Sequence, residues 1–360
     1  MNLTTWLVIA TLTTSMMGPS PRGSDDVTTP SEVTLGSERA IRDGLAFLAR
    51  VQRPDGSWTE RIGRKVNNTY RGHTGKHVGI TSIAGIAFLA AGNLPGRGPY
   101  GENVERALSF VLSCVNVNGF ITNDESRMYS HAFATLFLAE VYGTTRRADV
   151  QEKLKRAVRL IERSQNHLGG WRYLPGSQDA DISVTVCQVQ ALRAARNAGI
   201  LVDKSVIDKA IRYVKNSYPQ RTRSRRSSAG FVYQIDDHDS PKSRQTYALT
   251  AAGVTALYGA GEYHGPEIDG GLAYLEAYRP HKFKLRQSFD AYYGYYYAVQ
   301  AFFQAGGGTW KRNYPVIRDD ILQAQRKDGS WRDMVGPHYA TSMACIILLI
   351  PYRYLPIFDR

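Results

Sequence analysis

Gln52-Arg53-Pro54-Asp55-Gly56-Ser57-Trp58 has a spacing that returns twice in the same chain, as Gln165 with Gly169-Gly170-Trp171 and as Gln325 with Gly329-Ser330-Trp331. Each copy closes a segment of helical apolar periodicity. Glycine can take the left-handed conformation that stops a helix, and an indole can pack across the turn left behind. The glutamine amide reaches orphan backbone groups of a neighbouring turn. The motif therefore reads as a structural bolt between adjacent helices, and its recurrence as the mark of a repeat.

Downstream of the bolts, six segments share a second register. A small polar or ring residue precedes a large apolar one by seven at Ser82/Leu89, His131/Leu138, Thr185/Leu192, Thr250/Leu257, Tyr296/Phe303 and Thr341/Leu348. The residues between are small or apolar, so these helices are apolar nearly all round and must be buried on every side. More amphipathic segments precede them, roughly 37–52, 101–116, 149–165, 204–217, 266–278 and 314–326, and convincing strand runs are absent. Six buried helices alternating with six half-buried ones predict an all-α fold: a single closed (α/α)6 barrel, or toroid, of six helix-pair repeats. An open solenoid is the alternative.

At 43% hydrophobic and 21% charged, the chain of 360 residues can bury a large core. The net charge of +13 suits an anionic partner. The sharpest basic cluster, Arg221, Arg223, Arg225 and Arg226, lies among Ser and Thr as in a solvated loop, and no nucleic-acid motif accompanies it. Cys114, Cys187 and Cys345 are far apart inside apolar runs and read as buried inert thiols. Trp6–Leu12 is a short apolar run with no Lys or Arg before it, too short to span a bilayer. The expected division is an export signal over 1–18, a linker over 19–35 and the toroid over 36–360. Export is the expectation, with a cytoplasmic location as its alternative.

Gly44-x-x-Phe47-Leu48-x-x-x-Gln52-x-x-x-Gly56-x-Trp58 resembles the QW motif of squalene–hopene and oxidosqualene cyclases. Arg156-Ala157-x-x-Leu160-Ile161-x-x-x-Gln165 looks like a second copy, and 36–360 is similar to bacterial prenyltransferase and squalene oxidase repeat proteins. The resemblance implies the terpenoid cyclase/protein prenyltransferase toroid. Two departures bear on activity. Triterpene cyclases carry D-x-D-D-T on a chain about twice as long; Asp179-Ala180-Asp181-Ile182-Ser183 keeps two of the carboxylates. Protein prenyltransferases bind zinc through Asp-x-Cys and a later Tyr-His-Thr, where this chain has Asp290-Ala291-Tyr292 and Tyr339-Ala340-Thr341. Tyrosine and alanine cannot replace a thiolate and an imidazole, so neither zinc nor another cofactor is expected.

The register also aligns the residues just before each inner helix. Six places earlier stand Lys76, Glu125, Asp179, Arg244, Asp290 and Val335, and four places earlier Val78, Arg127, Asp181, Thr246, Tyr292 and Pro337. A polar rim over an aromatic interior is the composition of a ligand site, although Lys76, Glu125 and Arg244 read as solvated. Asp181 and Asp179 are the candidate catalytic pair, sharing one proton so that Asp181 can protonate an alkene or epoxide. The competing reading makes Asp181 a helix N-cap, which lowers its pKa. His131, Asp290, Tyr292, Tyr293 and Tyr296 are candidate substrate-binding residues, since ring faces stabilise a carbocation, while a tyrosine run also suits plain core packing. His77, His131 and His338 could converge in a closed ring as a metal or general-base triad, against a reading as hydrogen-bonded structural histidines.

Three functions follow as expectations. The first is an isoprenoid-handling, terpenoid cyclase-like protein that cyclises or isomerises a polyprenyl ligand, in peripheral contact with a membrane and without nucleic acid. The second is a non-catalytic binding toroid, and the third a carbohydrate-active (α/α)6 barrel. A dry cavity favours the first, a filled centre the second and an open polar groove the third.

Overall fold

The computed structural model describes residues 32–62, 72–219, 229–235, 245–278 and 290–358. The export signal, linker residues 19–31, the Arg221–Arg226 cluster and Arg244 lie outside the described residues. Among those described are twelve α-helices. The odd-numbered ones are α1 (Leu35–Val51), α3 (Gly101–Ser113), α5 (Ala148–Arg163), α7 (Lys204–Asn216), α9 (Pro266–Ala277) and α11 (Gly307–Ala324). The even-numbered ones are α2 (Val78–Ala90), α4 (Met128–Val141), α6 (Ile182–Asn197), α8 (Tyr247–Gly259), α10 (Ala291–Ala305) and α12 (Pro337–Leu349).

The two sets bury themselves differently, as their patterns require. Every residue of α2 is buried, whereas α5 buries only Val150, Leu154, Ala157, Val158, Leu160 and Ile161, one stripe at helical spacing. Each even helix packs against the next, from α2 through α12, and α12 packs against α2. The amphipathic helices lie outside this set, with α11 in contact with α1.

The three bolts share one geometry. Trp58, Trp171 and Trp331 are buried, and their indole N–H groups donate to the carbonyls of Leu48, Ile161 and Ile321 on the preceding outer helix, at 3.0, 2.8 and 2.7 Å. Gln52, Gln165 and Gln325 each donate to the carbonyl of their own bolt glycine. They also reach the next outer helix at the carbonyls of Asn103, Val206 and Ala40. Gly56, Gly169 and Gly329 have φ of 87°, 92° and 86°, and a Cβ on them would fall within 2.5 Å of the carbonyl oxygens of Arg106, Lys209 and Asp43. Only glycine fits so close an approach. The third bolt joins α11 back to α1.

A fourth bolt is disguised in sequence. Gly119, with φ of 87°, would place a Cβ 2.3 Å from the Arg156 carbonyl, with Val115 and Ile121 standing where the others have Gln and Trp. A conserved-in-geometry contact follows each bolt aromatic: the backbone N–H groups of Trp58, Trp171, Phe231 and Trp331 donate to the hydroxyls of Thr81, Thr185, Thr250 and Thr341, and Ile121 N–H donates to His131 Nδ1.

These bonds correct four sequence expectations. The register of the first repeat runs through Thr81, not Ser82, and so places His77, not Val78, at the entrance of α2. A two-stranded antiparallel ribbon is present, β1 (Thr59–Ile62) with β2 (His73–Lys76), although neither segment has an alternating apolar pattern; it links the first bolt to α2. Helix α11 starts at Gly307, seven residues before the expected 314, because Trp310 stacks on Tyr314 at 4.3 Å and holds the Gly-rich start and Pro315 in helix. Ordered packing also begins before Gly36. Thr34 caps α1 in a capping box with Ser37, and the buried Glu32 carboxylate accepts the Trp310 indole N–H at 2.6 Å.

Candidate functional site

The N-termini of the inner helices are met by the bolt segment of the following repeat. The N–H of Met128, first residue of α4, donates to the Tyr173 carbonyl, and that of Ile182, first residue of α6, to the Tyr233 carbonyl, both at 3.0 Å. Residues two places beyond a bolt aromatic therefore stand at this mouth: Glu60, Asn123, Tyr173, Tyr233 and Asp333.

Asp181 has no exposed surface. Its Oδ1 accepts the Val184 N–H at 2.9 Å, the N-cap bond of α6, and the Ser183 hydroxyl at 2.6 Å. Its Oδ2 accepts Arg172 Nη1 at 2.6 Å. Burial pushes the Asp181 carboxyl above its ordinary pKa, against the opposing pull of Ser183, the Val184 N–H and Arg172. The N-cap geometry and an upward shift thus occur together, because removal from water outweighs the helix terminus.

Asp179 does not share a proton with Asp181. The Arg172 guanidinium stands between the two, with Nε 3.1 Å from Asp179 Oδ2, and Asp179 is 62% exposed. Two carboxylates with a cation between them have no reason to hold one proton in common. Arg172 also donates to Tyr233 Oη at 2.7 Å and lies over the Tyr173 and Tyr233 rings at 4.4 and 5.5 Å. Tyr173 and Tyr233 share a hydroxyl–hydroxyl bond of 2.6 Å.

Beside this pair is a group of half-buried tyrosines: Tyr129 from α4, Tyr293 from α10 and Tyr339 from α12. Burial raises each of these hydroxyls well above the ordinary tyrosine value, although each residue keeps some exposed surface. Each residue is thus part exposed while its hydroxyl lies among buried atoms. Deeper in, the interior is filled. Four bonds cross from α6 to α10, on either side of α8: Tyr293 Oη to the Ser183 carbonyl at 3.0 Å, Cys187 Sγ with Tyr297 Oη at 3.2 Å, Gln190 Nε2 to Gln300 Oε1 at 2.7 Å, and Tyr296 Oη to Gln190 Oε1 at 3.4 Å. Phe133 and Phe358 meet Tyr296 edge-on, the latter from a 3-10 turn at Pro356–Phe358.

Of the candidate binding residues, Tyr293 and Asp290 keep partial exposure. Tyr296 and Tyr292 are buried, and Tyr296 belongs to the filled interior. Asp290 precedes α10 without a side-chain cap bond. His131 is buried and structural: Nδ1 accepts the Ile121 N–H at 3.1 Å, Nε2 lies 3.3 Å from the Ala157 carbonyl, and burial lowers its pKa to about 3. His77 is the N-cap of α2, accepting the Ile80 N–H, with its pKa lowered by burial to about 4. His338 Nδ1 donates to the Thr59 carbonyl at 2.7 Å. These three histidines are spent on separate backbone groups, and among the described residues no His/Cys/Asp/Glu cluster is arranged to hold a metal ion. All three cysteines are buried and unbridged.

At the rim, Lys76 pairs with Asp55 at 2.5 Å in the solvated manner expected. Glu125 and Asp124 have φ of 61° and 48°, unusual for residues other than glycine. They wall an open cleft of about 510 Å3, with Phe120, Asn123, Arg127 and Leu174. Arg127 lies 5.9 Å over the Tyr173 ring, so the cleft adjoins the Arg172 group.

Sequence reasoning missed Arg172, Tyr129, Tyr173, Tyr233 and Glu60. Four of these stand one or two places after a bolt aromatic, a signal available once the degenerate bolts at Ile121 and Phe231 are counted. Tyr129 carried no signal of its own.

No family model and no curated protein matches this chain. Solved structures do. A cellobiose 2-epimerase from Bacillus thermoamylovorans B4167 is 13% identical over 86% of this chain and 98% of its own, with a TM-score of 0.62. The type II terpene cyclase MstE from Scytonema is 13% identical over 89% and 99%, at 0.60. The GH76 α-mannanase BT2949 of Bacteroides thetaiotaomicron is 12% identical over 88% and 96%, at 0.62. At these identities the likeness concerns the fold: the chain is a helical toroid of the kind these three enzymes share.

Proposed function

We propose that the six helix pairs form one closed ring and that this ring handles an isoprenoid or similar lipid-like ligand at its mouth, with Asp181 as the source of a proton for cyclisation or isomerisation. Closure is supported by the contacts of α12 with α2 and of Gln325 with Ala40. The observation that carries the functional reading is Asp181 itself, a fully buried carboxyl raised by desolvation beside half-buried tyrosine faces. Such faces suit both an apolar chain and a developing cation. The filled interior moves the work from the ring's centre to the half-buried tyrosines and the adjoining cleft.

Two observations support other readings. The filled interior suits a toroid that binds without catalysis, and the polar cleft at Asn123, Asp124 and Glu125 suits a glycan. Native mass spectrometry after mild purification, followed by product analysis with squalene-like and shorter polyprenyl substrates, separates the three. A retained lipid and a cyclised product that Asp181→Asn abolishes support the proposal. A retained lipid without product from any substrate leaves the binding toroid, and a retained oligosaccharide leaves the glycan reading.

A further inference from the structure

Asp181 as a proton source has a geometric difficulty. The carboxyl has no exposed surface; its contacts are the partly exposed Arg172, which has no proton to spare, and the buried Ser183 and α6 backbone. Arg172 donates to Oδ2 and the Val184 N–H to Oδ1, and the one partner that can accept a proton from the carboxyl is at Oδ1. There the Ser183 hydroxyl lies at 2.6 Å, and on its other side the Tyr129 hydroxyl lies at 2.6 Å from the same Ser183 oxygen. Tyr293 Oη holds the Ser183 carbonyl at 3.0 Å and so fixes the middle of the chain. Ser183 is buried, whereas Tyr129 keeps part of its surface exposed.

We infer that Tyr129, Ser183 and Asp181 form a proton relay in which the Tyr129 hydroxyl, not the Asp181 carboxyl, is the group that meets the ligand. Hydroxyls donate and accept at once, and a chain of them conducts by shifting every proton one place. In the forward direction Asp181 Oδ1 gives its proton to Ser183 Oγ, Ser183 gives its own to Tyr129 Oη, and Tyr129 gives its own to an alkene carbon. The alkene π pair becomes the new C–H bond, leaving a cation on the ligand and a carboxylate facing Arg172. Loss of a ligand proton to Tyr129 Oη runs the chain in reverse, quenches the cation and restores the acid. The catalytic use of the relay rests on the function proposed above; the coupling of the three groups does not.

The test therefore has two arms. In the ligand-free arm, protein carrying 13C at aspartate carboxyls is titrated by NMR, with the Asp181 signal assigned from Asp181→Asn. The charged groups facing Asp181 are Arg172 and, across it, Asp179, and both are kept. Tyr129→Phe leaves the ring in place but weakens the donor that Ser183 presents, so the Asp181 midpoint rises by about half a pH unit although the two residues do not touch. In a Ser183→Ala background the same change has no further effect. An unmoved midpoint in Tyr129→Phe, or an equal shift with Ser183 absent, overturns the relay. In the second arm, with a polyprenyl substrate, Tyr129→Phe and Ser183→Ala each lower kcat by about 10²–10⁴-fold with KM little changed. Turnover unaffected by Tyr129→Phe overturns the relay; no turnover by the parent overturns the acid function instead, and the titration still decides the coupling.

Discussion

The entrances of α6 and α12 solve one problem in two ways. Both bury a carboxyl against the N-terminus of an inner helix, and burial raises both pKa values. At α6 the carboxyl is the helix's own N-cap, Asp181, and a guanidinium is bonded to it. The first helical N–H is left to the Tyr233 carbonyl of the following repeat. At α12 the first helical residue is Pro337, which has no N–H. The next N–H, that of His338, is taken at 2.8 Å by the side chain of Glu60, which follows the bolt of the first repeat. The ring beside Glu60 is not its counter-ion. His338 Nδ1 is 3.4 Å away but serves the Thr59 carbonyl, and burial lowers its pKa while raising that of Glu60 to about 7. A similar place in the repeat thus carries a buried carboxyl bonded to a permanent cation in one case and a buried carboxyl beside a neutral imidazole in the other. What differs is whether a permanent cation is present.

The largest way to break the contrast is to remove the cation. Arg172→Leu leaves Asp181 buried without its partner and costs about 3–5 kcal/mol in urea unfolding at pH 7, since stranding one member of a buried pair is expensive. A loss below about 1 kcal/mol means that water reaches Asp181.

Next in size is the pH dependence at the other entrance. The folded pKa of Glu60, about 7, lies above its ordinary 4.5, so the native state binds the proton more tightly than the unfolded chain. Its contribution to stability is full below about pH 4.5 and is lost as pH rises through 7, a change of about 3 kcal/mol. Glu60→Gln keeps the acceptor for the His338 N–H without the charge. Its stability relative to the parent therefore improves from pH 5 to pH 8. Parallel pH profiles for parent and variant would falsify the assignment.

The cap can be separated from the ion pair at α6 by comparing two substitutions. Asp181→Ala loses the bond to the Val184 N–H and costs about 0.5–2 kcal/mol more in thermal melts than Asp181→Asn, which still caps. Equal costs would show that the cap is worth nothing beside the Arg172 contact.

Asp179→Asn is the smallest change. This residue is largely exposed, and its bond to Arg172 is worth less than about 1 kcal/mol. Turnover, if present, should survive it. Loss of activity in Asp179→Asn without loss of stability would restore the paired-acid reading.

The helical layers were legible because burial imposes a period on the sequence. The all-apolar runs from Ser82/Leu89 to Thr341/Leu348 fell on even helices and the amphipathic runs on odd ones. The off-by-one reading at Ser82 arose because Ser82 and Thr81 are both small and polar, and only the bond from the Trp58 N–H distinguishes them. The β1–β2 ribbon was illegible since one of the two alternating buried positions of β1 is the carboxylate Glu60, beside Ile62, and β2 has no buried residue. At the site, Asp181 was found from its place before an inner helix. Arg172 was not, because its place after a bolt tryptophan marks the mouth but not its partner until the chain brings it back to the carboxyl nine residues on.

The sequence by itself determined what depends on near neighbours along the chain: the helices, the bolts, the glycines at Gly56, Gly169 and Gly329, and the fact that Asp181 opens a helix. Only the tertiary structure decided what depends on residues far apart. It brought Tyr129 within 2.6 Å of Ser183 across 54 positions and Glu60 to His338 across 278. It also filled the interior with Tyr296, Phe133 and Phe358. Periodicity reports which side of a helix is buried; whether a buried side chain meets a cation, a hydroxyl or another ring is fixed only when the repeats pack.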